Sequence, residues 1–284
     1  MAQKRAWPRA LAAVAVAGLA WTPAAAQQPA PRRIVSLNLC ADQLVLALAD
    51  REQIAGLTRN AAKPEMSAEA ARARGLRILG TSAEEILEIR PDLVIGAPVR
   101  RSAALGALRS QGYRTVDLKA ANDLADIYAA IRETAVAVGH PARGDAMIAR
   151  MSRELAALPR LGRGKVAAYY QRRGYLTGAG TLIDDLMRRL GLVNLASRLG
   201  KSALSQVSIE EMVAARPDYI IVESATDDVT DLGTEMLHHP ALRRIPRISM
   251  PQAWTVCGGP AYVTAARAMA RQMAGNSGPH DAAR

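Results

Sequence analysis

The chain has 284 residues and a formal net charge of +11, with 37 Lys and Arg against 26 Asp and Glu. A basic excess is compatible with nucleic acid, an anionic membrane or an anionic ligand as a partner. The arginines are spread along the chain and do not form one arm, and the export signal described next argues against nucleic acid.

The first residues predict a signal peptide. Lys4, Arg5 and Arg9 form a positively charged start, and the apolar run at 11–20 is too short to span a bilayer. Three alanines then supply small residues for cleavage, which we predict after Ala26. A membrane anchor is the weaker alternative, because prolines flank the run and no later stretch is long enough to span. We therefore expect a mature periplasmic chain of 258 residues with a net charge of +8.

The first part of the mature chain alternates short strands with helices. Asp42 is the predicted N-cap of the first helix. Alternation of this kind predicts a parallel sheet with helices on its faces. The predicted strands are 32–37, 54–58, 77–79, 93–95 and 113–118, and the predicted helices are 42–48 and 102–110.

A long helical region follows. Apolar residues recur at helical spacing from Leu124 to Val138 and, after a Gly-His-Pro break, from Met147 to Leu158. The methionines here fit a core face. The alternation of strands and helices then restarts. The polar tail at 275–284 is predicted to be disordered. The later strands are predicted at 165–170 and 219–222, and the later helices at 182–190 and 261–273.

An internal repeat divides the chain. Residues 82–95 read SAEEILEIRPDLVI and residues 208–221 read SIEEMVAARPDYII, identical at seven of fourteen positions. Each copy predicts a short helix that runs into a strand, with Ser82 and Ser208 as N-caps. Self-similarity of this kind predicts two lobes built on one plan.

Each repeat carries two consecutive glutamates. Glu85 and Glu211 lie three residues after the serines and complete a capping box. Glu84 and Glu210 gain from the helix dipole, which alone could account for them. These two are also free to project outwards, one from each lobe.

The opening RRIVSLNLCADQLVLALAD and the duplicated E-E-x-x-x-x-R-P-D segments resemble the periplasmic binding proteins for cobalamin, heme and ferric siderophores. The resemblance covers about 32–273. It implies an α/β fold of two Rossmann-like lobes, at 32–122 and 163–274, joined by a rigid long helix within a linker at 123–160. The ligand lies in the cleft between the lobes.

The resemblance also implies a function. The chain would capture a ferric chelate (siderophore or heme) or a corrinoid and deliver it to the permease dimer of an ABC importer. In the family, a glutamate on each lobe docks onto permease arginines, and the matching positions here are Glu84 and Glu210. The expected protein is a monomer without enzymatic activity and without a cofactor of its own, although its ligand carries iron or cobalt.

Loops beyond the carboxyl ends of the strands are expected to line the cleft. Two such loops follow predicted strands, one in each lobe, and a third candidate loop at 254–259 lies just before the last predicted helix. Their candidate ligand-binding residues are Asn38, Leu39, Cys40, Tyr169, Tyr170, Arg172, Arg173, Trp254 and Cys257.

The chemistry of these candidates suggests an anionic or planar ligand. Arg172 and Arg173 can pair bidentately with carboxylates such as heme propionates. Tyr169 or Tyr170 could ligate heme iron, although adjacent strand tyrosines face opposite sides. Trp254 could offer a stacking surface or could plug the lobe.

The two cysteines allow three arrangements. Cys40 and Cys257 could form a disulfide across the cleft, touch a bound metal as free thiols, or be buried and inert. A bridge needs Cα atoms within about 7 Å, a demanding condition for opposite lips of a cleft. We therefore expect two cysteines near the ligand without an obligatory bond.

Two other function classes remain as alternatives. A zinc- or manganese-binding importer protein should have several well-separated histidines, but this chain has four, of which His238 and His239 are adjacent. A secreted α/β enzyme should show a catalytic motif, and neither G-x-S-x-G nor H-E-x-x-H is present.

Overall fold

The computed structural model describes residues 29–80, 82–96 and 103–276, so the predicted signal peptide and residues 277–284 of the predicted tail lie outside the described residues. None of the helices within these ranges combines the length and hydropathy needed to cross a membrane. The strands are β1 Ile34–Ser36, β2 Ile54–Gly56, β3 Leu93–Gly96, β4 Thr115–Asp117, β5 Val166–Tyr169, β6 Tyr175–Thr177, β7 Val193–Asn194, β8 Leu204–Gln206, β9 Tyr219–Glu223 and β10 Arg247–Met250. The α-helices are α1 Leu39–Leu48, α2 Ala83–Ile89, α3 Ala103–Ser110, α4 Leu124–Ala137, α5 Pro141–Ala156, α6 Leu182–Arg189, α7 Leu195–Arg198, α8 Ile209–Ala215, α9 Ser224–Asp227, α10 Gln252–Thr255 and α11 Ala261–Asn276.

Two parallel sheets form the centres of two lobes. The first has the strand order β2-β1-β3-β4 and the second β10-β9-β5-β7, with every pairing parallel. Their central strands are covered on both faces, which explains the continuous apolar runs in the sequence. A two-stranded antiparallel ribbon, β6-β8, accompanies the second sheet. The predicted two-lobed α/β fold is confirmed.

The internal repeat folds as two equivalent units. Ser82 caps α2 by accepting a hydrogen bond from the N–H of Glu85, and Ser208 caps α8 in the same way. Each helix ends at an arginine whose backbone lies in the left-handed region of φ and ψ. A Pro-Asp pair, present in both copies, then leads into a central strand of the sheet. The repeat therefore positions the same helix–strand unit once in each lobe.

The first helix begins earlier than predicted, and Asp42 is not its N-cap. Asn38 lies two residues beyond the end of β1 and caps α1 by accepting from the N–H of Ala41 at 2.9 Å. Asp42 lies inside the helix, fully buried, and accepts hydrogen bonds from the N–H and the hydroxyl of Thr58. Burial raises the pKa of Asp42 to about 6, against the opposing effect of hydrogen bonds from Thr58 and Ser36.

The connection between the lobes consists of two helices, where one rigid long helix was predicted. Gly139, with φ of +87°, interrupts the helical region between α4 and α5. The two helices pack so closely that a Cβ atom on Gly144 would lie 2.5 Å from the Cβ of Ala135. The connection is therefore a tight helical hairpin.

The main hydrophobic core continues from one lobe into the other. It contains Val45 of α1, Ile131 of α4, Met151 of α5, Leu186 of α6 and Met269 of α11, all almost fully buried. Separate smaller clusters cover the second face of each sheet. Because the lobes share one close-packed core through the hairpin, their relative orientation is restrained.

Candidate ligand-binding site

The carboxyl edges of the two sheets meet at a disulfide. Cys40 lies in the first turn of α1, just beyond β1, and Cys257 follows β10. The two are bonded, and their Cα atoms are 5.2 Å apart across a sequence separation of 217 residues. Ligands of open α/β sheets bind beyond the carboxyl ends of the strands. The disulfide therefore marks the place where the two candidate binding edges face each other.

The expectation of two free thiols is wrong. It placed the cysteines on opposite lips of an open cleft, but the chain at 257–258 runs directly against the first lobe and the hairpin. A Cβ atom on Gly258 would lie 2.3 Å from the Cβ of Ala121 and 2.9 Å from Cγ1 of Ile127. Cys257 is thus at a closed end of the cleft, where the bridging distance is easily met.

A polar cavity of about 230 Å³ opens beside the disulfide, at the carboxyl ends of β5, β6 and β9. Thr255 and Val256, which precede Cys257, form part of its wall. Leu182 and Ile183 of α6 contribute buried apolar side chains to its wall. The polar side chains that line it are Tyr169, Gln171, Thr177, Thr181, Glu223, Gln252 and Thr255.

The adjacent tyrosines face opposite sides of the second sheet. Tyr169 points into the cavity, and its hydroxyl donates to Oε1 of Glu223 at 3.4 Å. Tyr170 is fully buried in the smaller core of this lobe, where its hydroxyl donates to the carbonyl of Val207 at 3.1 Å. Tyr170 is therefore unavailable to a ligand in the cleft, contrary to its inclusion among the candidates.

Both hydroxyls are held in the protonated state. Burial, reinforced by the charge of Glu223, raises the pKa of Tyr169 well above its usual range. Burial also raises the pKa of Tyr170, to about 12, with a further contribution from the charge of Glu210. At the cavity, Tyr169 consequently acts as a hydrogen-bond donor, which does not favour the predicted phenolate ligation of iron.

The two arginines lie outside the cavity. Both oxygens of Asp231 accept from Nη2 of Arg172, at 3.1 and 2.8 Å, and Asp231 also accepts from the N–H groups of Gly233 and Thr234. Hydrogen bonding to Arg172 is the main cause that lowers the pKa of Asp231 to about 2. Arg173 has a left-handed backbone, with φ of +57°, and an exposed side chain. The guanidinium of Arg172 is thus engaged within the protein.

The other candidates are also distributed differently from the prediction. Trp254 packs against the main core and lines a separate cavity of about 370 Å³ between α5 and the start of α11. Trp254 therefore closes the lobe, as the second of the two predicted alternatives has it, and does not offer a stacking surface in the polar cavity. Asn38 and Leu39 lie partly exposed at the carboxyl end of β1, where Asn38 also serves as the cap of α1.

Sequence reasoning missed Glu223 and most of the cavity wall. Glu223 directly follows the predicted strand at 219–222, so the position of a carboxylate at a carboxyl strand end could have been recognised. Gln171 and Thr255 lie within loops assigned to the cleft. Thr177 and Thr181 gave no such signal, because β6 was not predicted.

A larger cavity, of about 800 Å³, lies elsewhere. It is bounded by Gly164 and Val193, which stand at the amino ends of β5 and β7, and by Arg160, Arg188 and Arg189. This is the edge of the sheet opposite the disulfide. Its position makes it a poor candidate for the interlobe ligand site.

The described histidines serve structural contacts. Nε2 of His140 lies 3.0 Å from both Oε1 of Gln53 and Oδ2 of Asp50 at the hairpin break, and His238 contacts the carbonyl of Val229 at 2.9 Å. Over residues 29–80, 82–96 and 103–276, no group of three or more His, Cys, Asp and Glu residues could hold a metal ion. The zinc alternative therefore gains no support from the described residues.

Comparisons with known proteins agree with this architecture. Residues 34–248 match the family model described as periplasmic binding protein. The cobalamin-binding protein of Halobacterium salinarum is 25% identical over 203 residues, which cover 69% of this chain and 55% of that protein. The chain thus spans about half the length of this curated relative.

Solved structures show the same fold. The periplasmic heme-binding protein of Roseiflexus sp. RS-1 superposes with a TM-score of 0.67 at 26% identity, covering 85% of this chain and 99% of that one. The periplasmic vitamin B12-binding protein of Vibrio cholerae gives a TM-score of 0.63 at 18% identity, covering 86% and 97%. At 18% identity, the similarity to the Vibrio cholerae protein shows only that the two chains share a fold.

Proposed function

The chain belongs to the periplasmic binding protein family, and from that premise we propose that it captures a metal chelate in the periplasm and delivers it to the permease of an ABC importer. The chelate is a corrinoid, a ferric siderophore or heme. Members of the family are substrate-binding transport proteins, and we assign no catalytic step to this chain.

The observation that carries the proposal is the meeting of the two carboxyl sheet edges at Cys40 and Cys257, with a polar cavity beside the bond. Two similar lobes with their strand ends turned toward each other form a cleft that can enclose a bulky ligand. The shared core restrains the relative orientation of the lobes, which favours a preformed cleft. A preformed cleft binds with little ordering cost.

We propose lobes at 32–122 and 163–274, a monomeric state, and permease docking through Glu84 and Glu210. Both glutamates are exposed at the second position of equivalent helices, one in each lobe. Their neighbours have local roles, since Glu85 accepts from the N–H of Gly80 at 2.6 Å and Glu211 pairs with Lys201 at 2.7 Å. These contacts replace the second half of the predicted capping box.

The electrostatics of Glu210 suit a docking role. Hydrogen bonds from its own backbone N–H and from the hydroxyl of Ser208 lower its pKa, so this exposed carboxylate stays ionised. A carboxylate on each lobe is complementary to arginines of a permease dimer. Docking of this kind requires the two charges to be held at a fixed separation, which the shared core provides.

Ligand capture is tested by spectral titration of the purified mature protein with cobalamin, cobinamide, heme and ferric siderophores. Binding of one chelate with 1:1 stoichiometry is expected, and absence of binding by the whole panel contradicts the proposal. Absorbance is the preferred signal, because Trp254 lies apart from the polar cavity.

Docking is tested by charge reversal. Glu84→Lys and Glu210→Lys should impair uptake of the bound chelate while leaving its affinity within about twofold, because complementary charge is lost only at the partner surface. Glu133→Lys is the matched control, since Glu133 is exposed on α4, away from both repeats. Normal transport by both test variants would mean that helix-dipole stabilisation suffices to explain the two glutamates.

A further inference from the structure

We propose that the polar cavity of the second lobe selects chelates that present uncharged carboxamide groups over chelates that present carboxylates at the same positions. This inference rests on the proposed function and specifies its substrate class. Glu223 is the residue that sets the preference, with Tyr169 holding it in place.

The charge of the cavity is the first argument. Among the described residues, Glu223 is the only charged side chain that lines it. Tyr169 donates a hydrogen bond to Oε1 at 3.4 Å, which is a long contact, and a carboxylate can accept from several donors. A partly buried carboxylate needs further donors, and a ligand N–H group can supply them.

The positions of nearby cations are the second argument. Arg172 follows β5 and could have neutralised this edge, but its guanidinium is turned to Asp231 at 2.8 Å. Asp231 is anchored in turn by the N–H groups of Gly233 and Thr234. A carboxylate entering the cavity would consequently meet the charge of Glu223 without an opposing cation from the described lining.

The neutral lining is the third argument. Gln171, Gln252, Thr181 and Thr255 bring both donors and acceptors to the wall. A primary amide has two donors and one acceptor, so it can bond to the carboxylate of Glu223 and to a side-chain amide or hydroxyl at once. A carboxylate has acceptors only and leaves Glu223 unsatisfied.

The test uses one macrocycle in two forms: dicyanocobinamide, which carries side-chain amides, and dicyanocobyrinic acid, in which the side chains are carboxylates. The wild-type protein should bind the amide form at least about tenfold more tightly. Glu223→Gln should strengthen binding of the acid form by about tenfold and bring the affinities of the two forms within about threefold of each other, because Gln removes the charge but keeps an oxygen that accepts from Tyr169.

Glu235→Gln is the matched control. Glu235 is exposed, lies outside the cavity and changes the net charge by the same amount. It should leave the preference unchanged, which separates a local effect of Glu223 from attraction of anions to a basic protein.

Equal or tighter binding of the acid form or of heme by the wild-type protein would overturn the inference and leave chelate capture standing. A preference that Glu223→Gln does not alter would overturn the role of Glu223 and of this cavity. If neither form of the macrocycle, nor heme or a ferric siderophore, binds, the proposed function falls together with the inference.

Discussion

Breaking the bond between Cys40 and Cys257 should lower the free energy of unfolding by about 2–5 kcal/mol. The bond closes a sequence separation of 217 residues. The chain-entropy relation gives about 18 cal/mol/K for a loop of this length, or about 5 kcal/mol at 25 °C, as the stabilisation from restricting the unfolded chain. Removal of native disulfides commonly costs somewhat less than such values, which sets the lower bound.

The assay compares guanidinium-induced unfolding of oxidised protein with and without a thiol reductant. Cys40 is exposed, so the reductant can reach the bond in the folded protein. A Cys40→Ala, Cys257→Ala double variant is the control, and its unfolding should not respond to the reductant. A difference below about 1 kcal/mol between oxidised and reduced protein would refute the entropy argument. Two reactive thiols in denatured, unreduced protein would refute the bond itself.

Two further predictions concern Asp42 and the mature N-terminus. The pKa of Asp42 is raised from 3.8 to about 6 in the folded state, so the folded protein binds the extra proton and its stability falls as pH rises through this window. Between pH 4 and pH 7 the wild-type protein should therefore lose about 2 kcal/mol of stability relative to Asp42→Asn, and parallel stability curves for the two proteins would contradict this. Periplasmic protein should begin at Gln27 on N-terminal sequencing; an intact start recovered from membranes would exclude cleavage after Ala26.

The sequence by itself determined the architecture, because the signals involved are local. Each repeat contains a serine cap, an apolar helix face and an Arg-Pro stop, and these interactions form between residues close together in the chain. Both copies accordingly formed the predicted helix and strand, with Ser82 and Ser208 as caps. The alternation of strands and helices likewise determined two parallel sheets, since parallel strands require helical crossovers.

Local signals were weaker where two residues could fill one role. Asn and Asp are both residue types favoured at N-caps, and the structure uses Asn38, which lies closer to the end of β1 than Asp42 does. The burial of Asp42 against Thr58 depends on a chain segment that sequence periodicity does not place. Similarly, the break at Gly139 was recognised, but the folding back of α5 onto α4 depends on close contact at Gly144.

Only the tertiary structure decided the site. Period-two alternation shows that Tyr169 and Tyr170 point to opposite faces, but which face belongs to the cleft depends on how the sheet packs. The pairing of Arg172 with Asp231 and the disulfide between Cys40 and Cys257 join segments 59 and 217 residues apart. Such contacts arise from the approach of whole lobes and loops, which leaves no periodic trace in the sequence.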